Sequence, residues 1–252
     1  MTYPLLKRLF DFVLSLLGLV LLFPLGVVVA SIIKLSDRGP VLYAQTRIGQ
    51  FGGPFRIWKF RTMVVNADKL GLQVTRDQDP RITPIGRFLR KTKLDELPQL
   101  WNVFVGDMTF VGPRPEVPKY VALYNPDQRE ILQLKPGITD LASIMFRDEE
   151  ELLRQAPNVE EFYISYCIPK KIELNRAYAA KASLVQDLGI ILRTLSAVLL
   201  GAPKSQSRPS AQNGLDPNPN RNPNPNPGLQ AGTARCAVQS SDRDNPTTPK
   251  VK

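Results

Sequence analysis

The chain has 252 residues, 43% of them hydrophobic, carries a net charge of +10 from 33 Lys+Arg against 23 Asp+Glu, and contains no histidine. The length holds one ordinary domain with additions, and the lack of histidine excludes Ser-His-Asp and Cys-His catalysis and removes the commonest zinc ligand. Its two cysteines, Cys167 and Cys236, are far apart, which argues against a zinc site or a disulfide framework and fits a reducing compartment.

The first element is apolar. From Phe12 to Ile33, "FVLSLLGLVLLFPLGVVVASII", no residue is charged. A helix rising about 1.5 Å per residue crosses a bilayer over such a length. The run is longer than a signal-peptide core, and no small-x-small cleavage site follows before Lys34. Pro24 stands at its centre, with Lys7 and Arg8 before it and Lys34 and Arg38 after it. A mid-helix proline kinks the chain, and basic flanks mark the cytoplasmic side. A re-entrant hairpin broken at Pro24 fits both features, and a kinked spanning helix fits as well.

Beyond Gly39-Pro40 lies the cationic part of the chain. Residues 34–120 hold a surplus of seven positive charges, suited to nucleic acid, an anionic membrane surface or a phosphorylated small molecule. "VLYAQTR" and "FRIWKFRT", separated by "IGQFGGP", predict a β-hairpin over about Val41–Thr62. Lys59 and Arg61 share a face of its second strand. "IGRFLRKTK" predicts a basic helical turn with Ile85, Phe88 and Leu89 inward. In "LDELPQLW", Leu94, Leu97 and Trp101 recur at helical spacing and are expected to face the core, leaving Asp95, Gln99 and Asn102 opposite. Thr92 resembles the start of a capping box, which puts Asp95 and Glu96 near a helix N-terminus.

"GPRP" (112–115) predicts a rigid loop displaying Arg114, and "KPGIT" (135–139) another turn. Residues 147–181 read as charged helix, loop, helix. Residues 182–201 form a strongly apolar helix suited to a membrane interface. The tail, 202–252, has nine prolines, no aromatics and the repeat "DPNPNRNPNPNP", a composition that predicts disorder. The predicted class is mainly α with a small β-hairpin. Residues 1–38 form a membrane anchor, 39–201 a cytosolic catalytic domain with interfacial amphipathic helices, and 202–252 a Pro/Asn-rich tail.

Asp95 and Glu96 stand among Arg87, Arg90, Lys91, Lys93 and Arg114. Such surroundings are expected to keep Asp95 ionised with a low pKa, as suits a carboxylate nucleophile or a Mg²⁺ ligand. Arginines bind phosphate oxygens bidentately. The combination points to phosphoryl chemistry beside a membrane.

"KRLFD", the apolar run broken at Pro24, "GPVLYAQTRIG", "FRIWKFRTM", "LDELPQLWNVFVGDMTFVGPRPE" and "KPGIT" occur in the order found in bacterial sugar transferases. Over residues 5–200 the chain resembles that family of monotopic polyprenyl-phosphate phosphoglycosyl transferases. The resemblance implies an enzyme on the cytoplasmic face of the bacterial inner membrane, anchored by a re-entrant hairpin among membrane lipids. It would transfer sugar-1-phosphate from a UDP-sugar to polyprenyl phosphate, release UMP and begin a surface glycan. It makes Asp95 the nucleophile and a Mg²⁺ ligand, Glu96 its catalytic helper, and Lys59, Arg90 and Arg114 phosphate contacts, with no nucleic-acid partner. Two departures stand out. Phe23-Pro24 replaces the usual Ser-Pro at the membrane break, and Asp140 stands where glycine is common. The rival readings are a membrane-anchored basic module that binds nucleic acid or acidic lipid without catalysis, and a metal-dependent lipid-phosphate hydrolase.

Overall fold

The computed structural model describes residues 2–67 and 79–200. The expectations for the 202–252 tail, Cys236 included, lie outside them. The first helix, α1, runs from Thr2 to Asp37 and is helical throughout, with Pro24 inside it. It is the one helix among the described residues long and apolar enough to cross a membrane.

Both ends of α1 are fastened to the rest of the folded unit. Near its start Arg8 donates to the carbonyls of Val103 and Phe104, 2.7 and 2.8 Å away. Asp11, 3% exposed, accepts from the Thr109 hydroxyl at 2.7 Å and the Phe110 N–H at 3.2 Å. Near its end Val29 and Ile33 are buried with Phe60 and Leu89, and Asp37 pairs with Arg61. Between these attachments the residues from Val20 to Leu25 are exposed all the way round.

The predicted hairpin forms from β1 (Leu42–Ile48) and β2 (Pro54–Phe60), antiparallel, with Tyr43 opposite Lys59. Arg61 lies past the end of β2, so it does not share a strand face with Lys59 but turns to Asp37. Helix α2 (Pro84–Thr92) is capped by Thr83, whose hydroxyl accepts from the Gly86 N–H at 3.0 Å. Gly86 lies so close to the backbone at Thr62 that a Cβ would stand 1.9 Å from its carbonyl oxygen, so only glycine lets α2 settle there. Leu89 and Ile85 turn inward, whereas Phe88 is 55% exposed, which corrects the expectation for that side chain.

Helix α3 (Gln99–Val105) lies under the hairpin. The Asn102 amide donates to the Arg56 carbonyl at 2.8 Å and accepts from the Trp58 N–H at 3.1 Å. These bonds turn the polar side inward: Asp95, Gln99 and Asn102 are buried and Trp101 is half exposed, against the sequence expectation, while Leu94 and Leu97 pack against the core as expected. Trp101 lies tilted against Phe104, which stacks on Phe12 of α1.

Two three-residue strands, β3 (Thr109–Val111) and β4 (Gly137–Thr139), pair in parallel. The sequence reading took the second for a turn. Helices α4 (Pro118–Val121) and α5 (Pro126–Arg129) connect them, and α6 (Leu141–Met145), α7 (Glu149–Arg154) and α8 (Val159–Phe162) follow. A π-helical turn over Tyr163–Cys167 leads into α9 (Ile168–Ala179). Val117, Tyr120, Leu153, Tyr163 and Ile172 centre the second core. The last described helix, α10 (Leu184–Leu200), buries Ile190 and exposes Val185, Leu188, Leu192 and Leu195, the one-sided apolar face expected of an interfacial helix.

Asp187 of α10 closes the unit. It is 1% exposed and receives the Lys7 ammonium at 2.5 Å, the Tyr3 hydroxyl at 3.0 Å and the Tyr178 hydroxyl.

Candidate active site

Asp95 and Glu96 sit on a tight turn between α2 and α3. Lys93, with φ 58°, takes the left-handed conformation that ends α2, and Leu94–Glu96 make one 3₁₀ turn before Pro98 and α3. The Thr92 hydroxyl donates back to the Phe88 and Leu89 carbonyls. No capping box forms there, and the αL residue does the turning instead.

The two acids have different surroundings. Asp95 is 5% exposed, and its Oδ1 is buried without a hydrogen-bond partner. Burial pushes its carboxyl above the ordinary value, and the charge of Lys59 only partly offsets this. The expected low pKa is therefore corrected: proximity of cations in sequence said nothing of desolvation. Burial acts against the Glu96 charge too, but Arg114 and then Lys59 more than reverse it, and that carboxyl is held well below the usual range. Lys59 lies 3.2 Å from Glu96 Oε1. Arg114 grips both oxygens, Nη2 to Oε1 at 2.5 Å and Nη1 to Oε2 at 3.3 Å.

Lys59 reaches the pair from the hairpin, where burial lowers its pKa against the pull of Glu96. Arg90, half-buried on α2, stands close enough for its charge to lower the carboxyls of both Asp95 and Asp79. Arg114 comes from the loop after β3. The structure thus brings Lys59, Arg90, Arg114, Asp95 and Glu96 together. Pro24 lies apart, in the exposed middle of α1.

The "GPRP" and "KPGIT" motifs turn out to be one object. Gly112 N–H donates to the Thr139 carbonyl at 3.1 Å, and Gly137 N–H to the Pro113 carbonyl at 3.0 Å. A Cβ on Gly137 would stand 2.2 Å from Gly112 N, so the contact requires glycine. On the other side Arg47 donates to the Pro115 carbonyl at 3.1 Å and to Glu116 at 3.4 Å. Glu116 also receives the Tyr163 hydroxyl.

Sequence reasoning missed Arg47, though it stands in the quoted "VLYAQTRIG". It also missed Gln99, fully buried one helical turn after Asp95 with both amide atoms lacking a partner. The spacing of Asp95, Gln99 and Asn102 was the available signal. A buried carboxylate with a free oxygen, ringed by cations that already hold its neighbour, suits attack on an electrophile that brings its own negative charge.

The family profile described as "Bacterial sugar transferase" matches residues 2–201. The chain is 39% identical over 199 residues to the UDP-glucose:undecaprenyl-phosphate glucose-1-phosphate transferase of Klebsiella pneumoniae, covering 75% of this chain and 39% of that protein. It is 35% identical over 209 residues to the exopolysaccharide production protein ExoY of Sinorhizobium fredii, covering 77% and 85%. It is 34% identical over 204 residues to the UDP-N-acetylgalactosamine-undecaprenyl-phosphate N-acetylgalactosaminephosphotransferase of Aeromonas hydrophila, covering 79% and 45%. The chain thus spans less than half the length of two of these relatives and most of the third.

Proposed function

The chain belongs to the bacterial sugar transferase family, and from that premise we propose that it transfers a sugar-1-phosphate from a UDP-sugar to polyprenyl (undecaprenyl) phosphate and releases UMP. The observation that carries this reading is the Asp95 carboxylate, buried with a free oxygen beside a Glu96 already gripped by Lys59 and Arg114.

An Asp95 oxygen bonds to the phosphorus that carries the sugar. The bond from that phosphorus to the bridging oxygen breaks, and its electron pair leaves with UMP. A polyprenyl phosphate oxygen then attacks the same phosphorus and restores the Asp95 carboxylate. The covalent step lets two bulky substrates use one site in turn. Glu96, held ionised, is a poor proton acceptor, and its work is to hold Lys59 and Arg114 where the phosphate oxygens arrive. Arg90 adds positive charge on the Asp95 side.

Mg²⁺ belongs to the proposal, since when bound it neutralises charge on a diphosphate. The donor set fits. Asp95 offers a hard oxygen without a protein partner. One carboxylate, substrate oxygens and water make the usual shell of this ion.

We place the enzyme on the cytoplasmic face of the inner membrane, with α1 dipping into the lipid and returning. Support comes from the attachment of both ends of α1 to one folded unit, on either side of a middle stretch exposed all round. A basic binding module without catalysis gives no work to a buried carboxylate with an unpartnered oxygen. The deciding experiment is exchange of labelled UMP into UDP-sugar without polyprenyl phosphate. The wild type should catalyse it, and Asp95→Asn should not. A phosphosugar mass on the peptide containing Asp95 would identify the adduct, and full product formation by Asp95→Asn would overturn the reading.

A further inference from the structure

We propose that Asp140 is a positioning residue for the transfer, fixing the loop that aims Arg114 at the reacting phosphates. This rests on the reading of the site given above. Pro113-Arg114-Pro115 contains only one backbone N–H, because proline has none. That N–H donates to Asp140 Oδ2 at 3.2 Å. Asp140 is 1% exposed, and the same oxygen receives the Asn175 amide of α9 at 2.8 Å. Its Oδ1 receives the Ser143 N–H at 2.5 Å and so caps α6. One carboxylate thereby ties the Arg114 loop, α6 and α9 together.

At its flanks the loop backbone is tied by the N–H groups of Gly112 and Gly137 on one side and by the Arg47 guanidinium on the other. Asp140 takes the backbone N–H of Arg114, while the Arg114 guanidinium is held by Glu96 and by the Ile138 carbonyl at 3.4 Å. A glycine at 140 has no acceptor to offer that N–H. Arg114 must reach from this loop to Glu96, and a cation displaced by about 1 Å costs a transfer on the order of a hundredfold.

The test is a double-mutant cycle read by kcat/KM for UMP release and by KM for UDP-sugar. Asp140→Gly is expected to lower kcat/KM about tenfold or more, mostly through KM. Arg114→Ala should lower it further, and the double variant should be no worse than Arg114→Ala, because contacting groups that act through one another are not additive. Asp140→Ser separates positioning from folding. Serine keeps a helix cap but is too short to hold Arg114 and Asn175 as well, so it should melt near the parent and still show the raised KM. Parental kinetics in Asp140→Ser, or a double variant that loses the product of both single effects, would overturn the assignment of Asp140. Parental exchange by Arg114→Ala would sink the reading of the site itself.

Discussion

Asp95 and Glu96 are adjacent in the chain and opposite in environment: one is buried with a free oxygen, the other is clasped by Arg114 through both of its own. Their titrations should separate accordingly. The Asp95 carboxyl is raised, so the reactive carboxylate is lost at a higher pH than in a free aspartate. In the metal-free protein the Asp95 carboxyl should titrate with its midpoint above the ordinary 3.8, and a midpoint at or below that value, read by NMR on labelled aspartate, would contradict the burial argument.

Glu96 gives the converse in stability. Its folded-state carboxyl lies below its unfolded value, so it stabilises above the ordinary 4.5 and loses that contribution as pH falls through its folded pKa. Denaturant midpoints of the wild type should therefore fall more between pH 6 and pH 3 than those of Glu96→Gln. Parallel curves for the two proteins would refute this.

Arg114→Lys keeps the charge and loses the fork. A single ammonium cannot grip both Glu96 oxygens, so turnover should fall about tenfold while far-ultraviolet circular dichroism stays unchanged. A lysine variant with parental turnover would show that charge alone suffices.

Gln99 buries an amide whose oxygen and nitrogen have no partner, and a buried unmade hydrogen bond costs about 1–3 kcal/mol. Gln99→Met, of similar shape and without that cost, should melt at or above the parental temperature in detergent. A clear fall in melting temperature would mean that the amide is satisfied in the folded protein.

Lys7 and Asp187 join the first helix to the last described one. Asp187→Asn keeps the shape and removes the charge that Lys7 answers. Stability should fall by about 2–3 kcal/mol, below the full cost of breaking a buried pair because Lys7 keeps some contact with solvent. An unchanged denaturant midpoint would leave the clamp without energetic weight.

Topology has its own measurement. With Cys236 replaced by serine, cysteines at Pro4 and Leu35, both exposed, should resist an impermeant reagent added from the periplasm and react once the cytoplasmic face is opened. Labelling of just one from outside would mean that α1 crosses the bilayer.

Local chemistry was legible in the sequence. The hairpin, the apolar run and the acidic pair among cations all follow from residues near one another, whereas the expected break at Pro24 does not appear in α1. The orientation of α3 was not. Periodicity identifies the apolar face of a helix without saying what lies outside it, and here Asn102 fastens to β2 and turns Trp101 outward. The direction of the Asp95 shift was hidden for a related reason, since sequence reports neighbouring charge and not the loss of water. The role of Asp140 depends on partners 26 and 35 positions away, beyond any local pattern.

The bond between Lys7 and Asp187 spans 180 positions. During synthesis the head of the first helix therefore emerges long before its partner exists. The apolar segment must find its surroundings while the stretch up to residue 187 is still unmade, and α10 locks it only afterwards. A ribosome halted ahead of residue 187 would hold a chain already committed to its place but not yet latched.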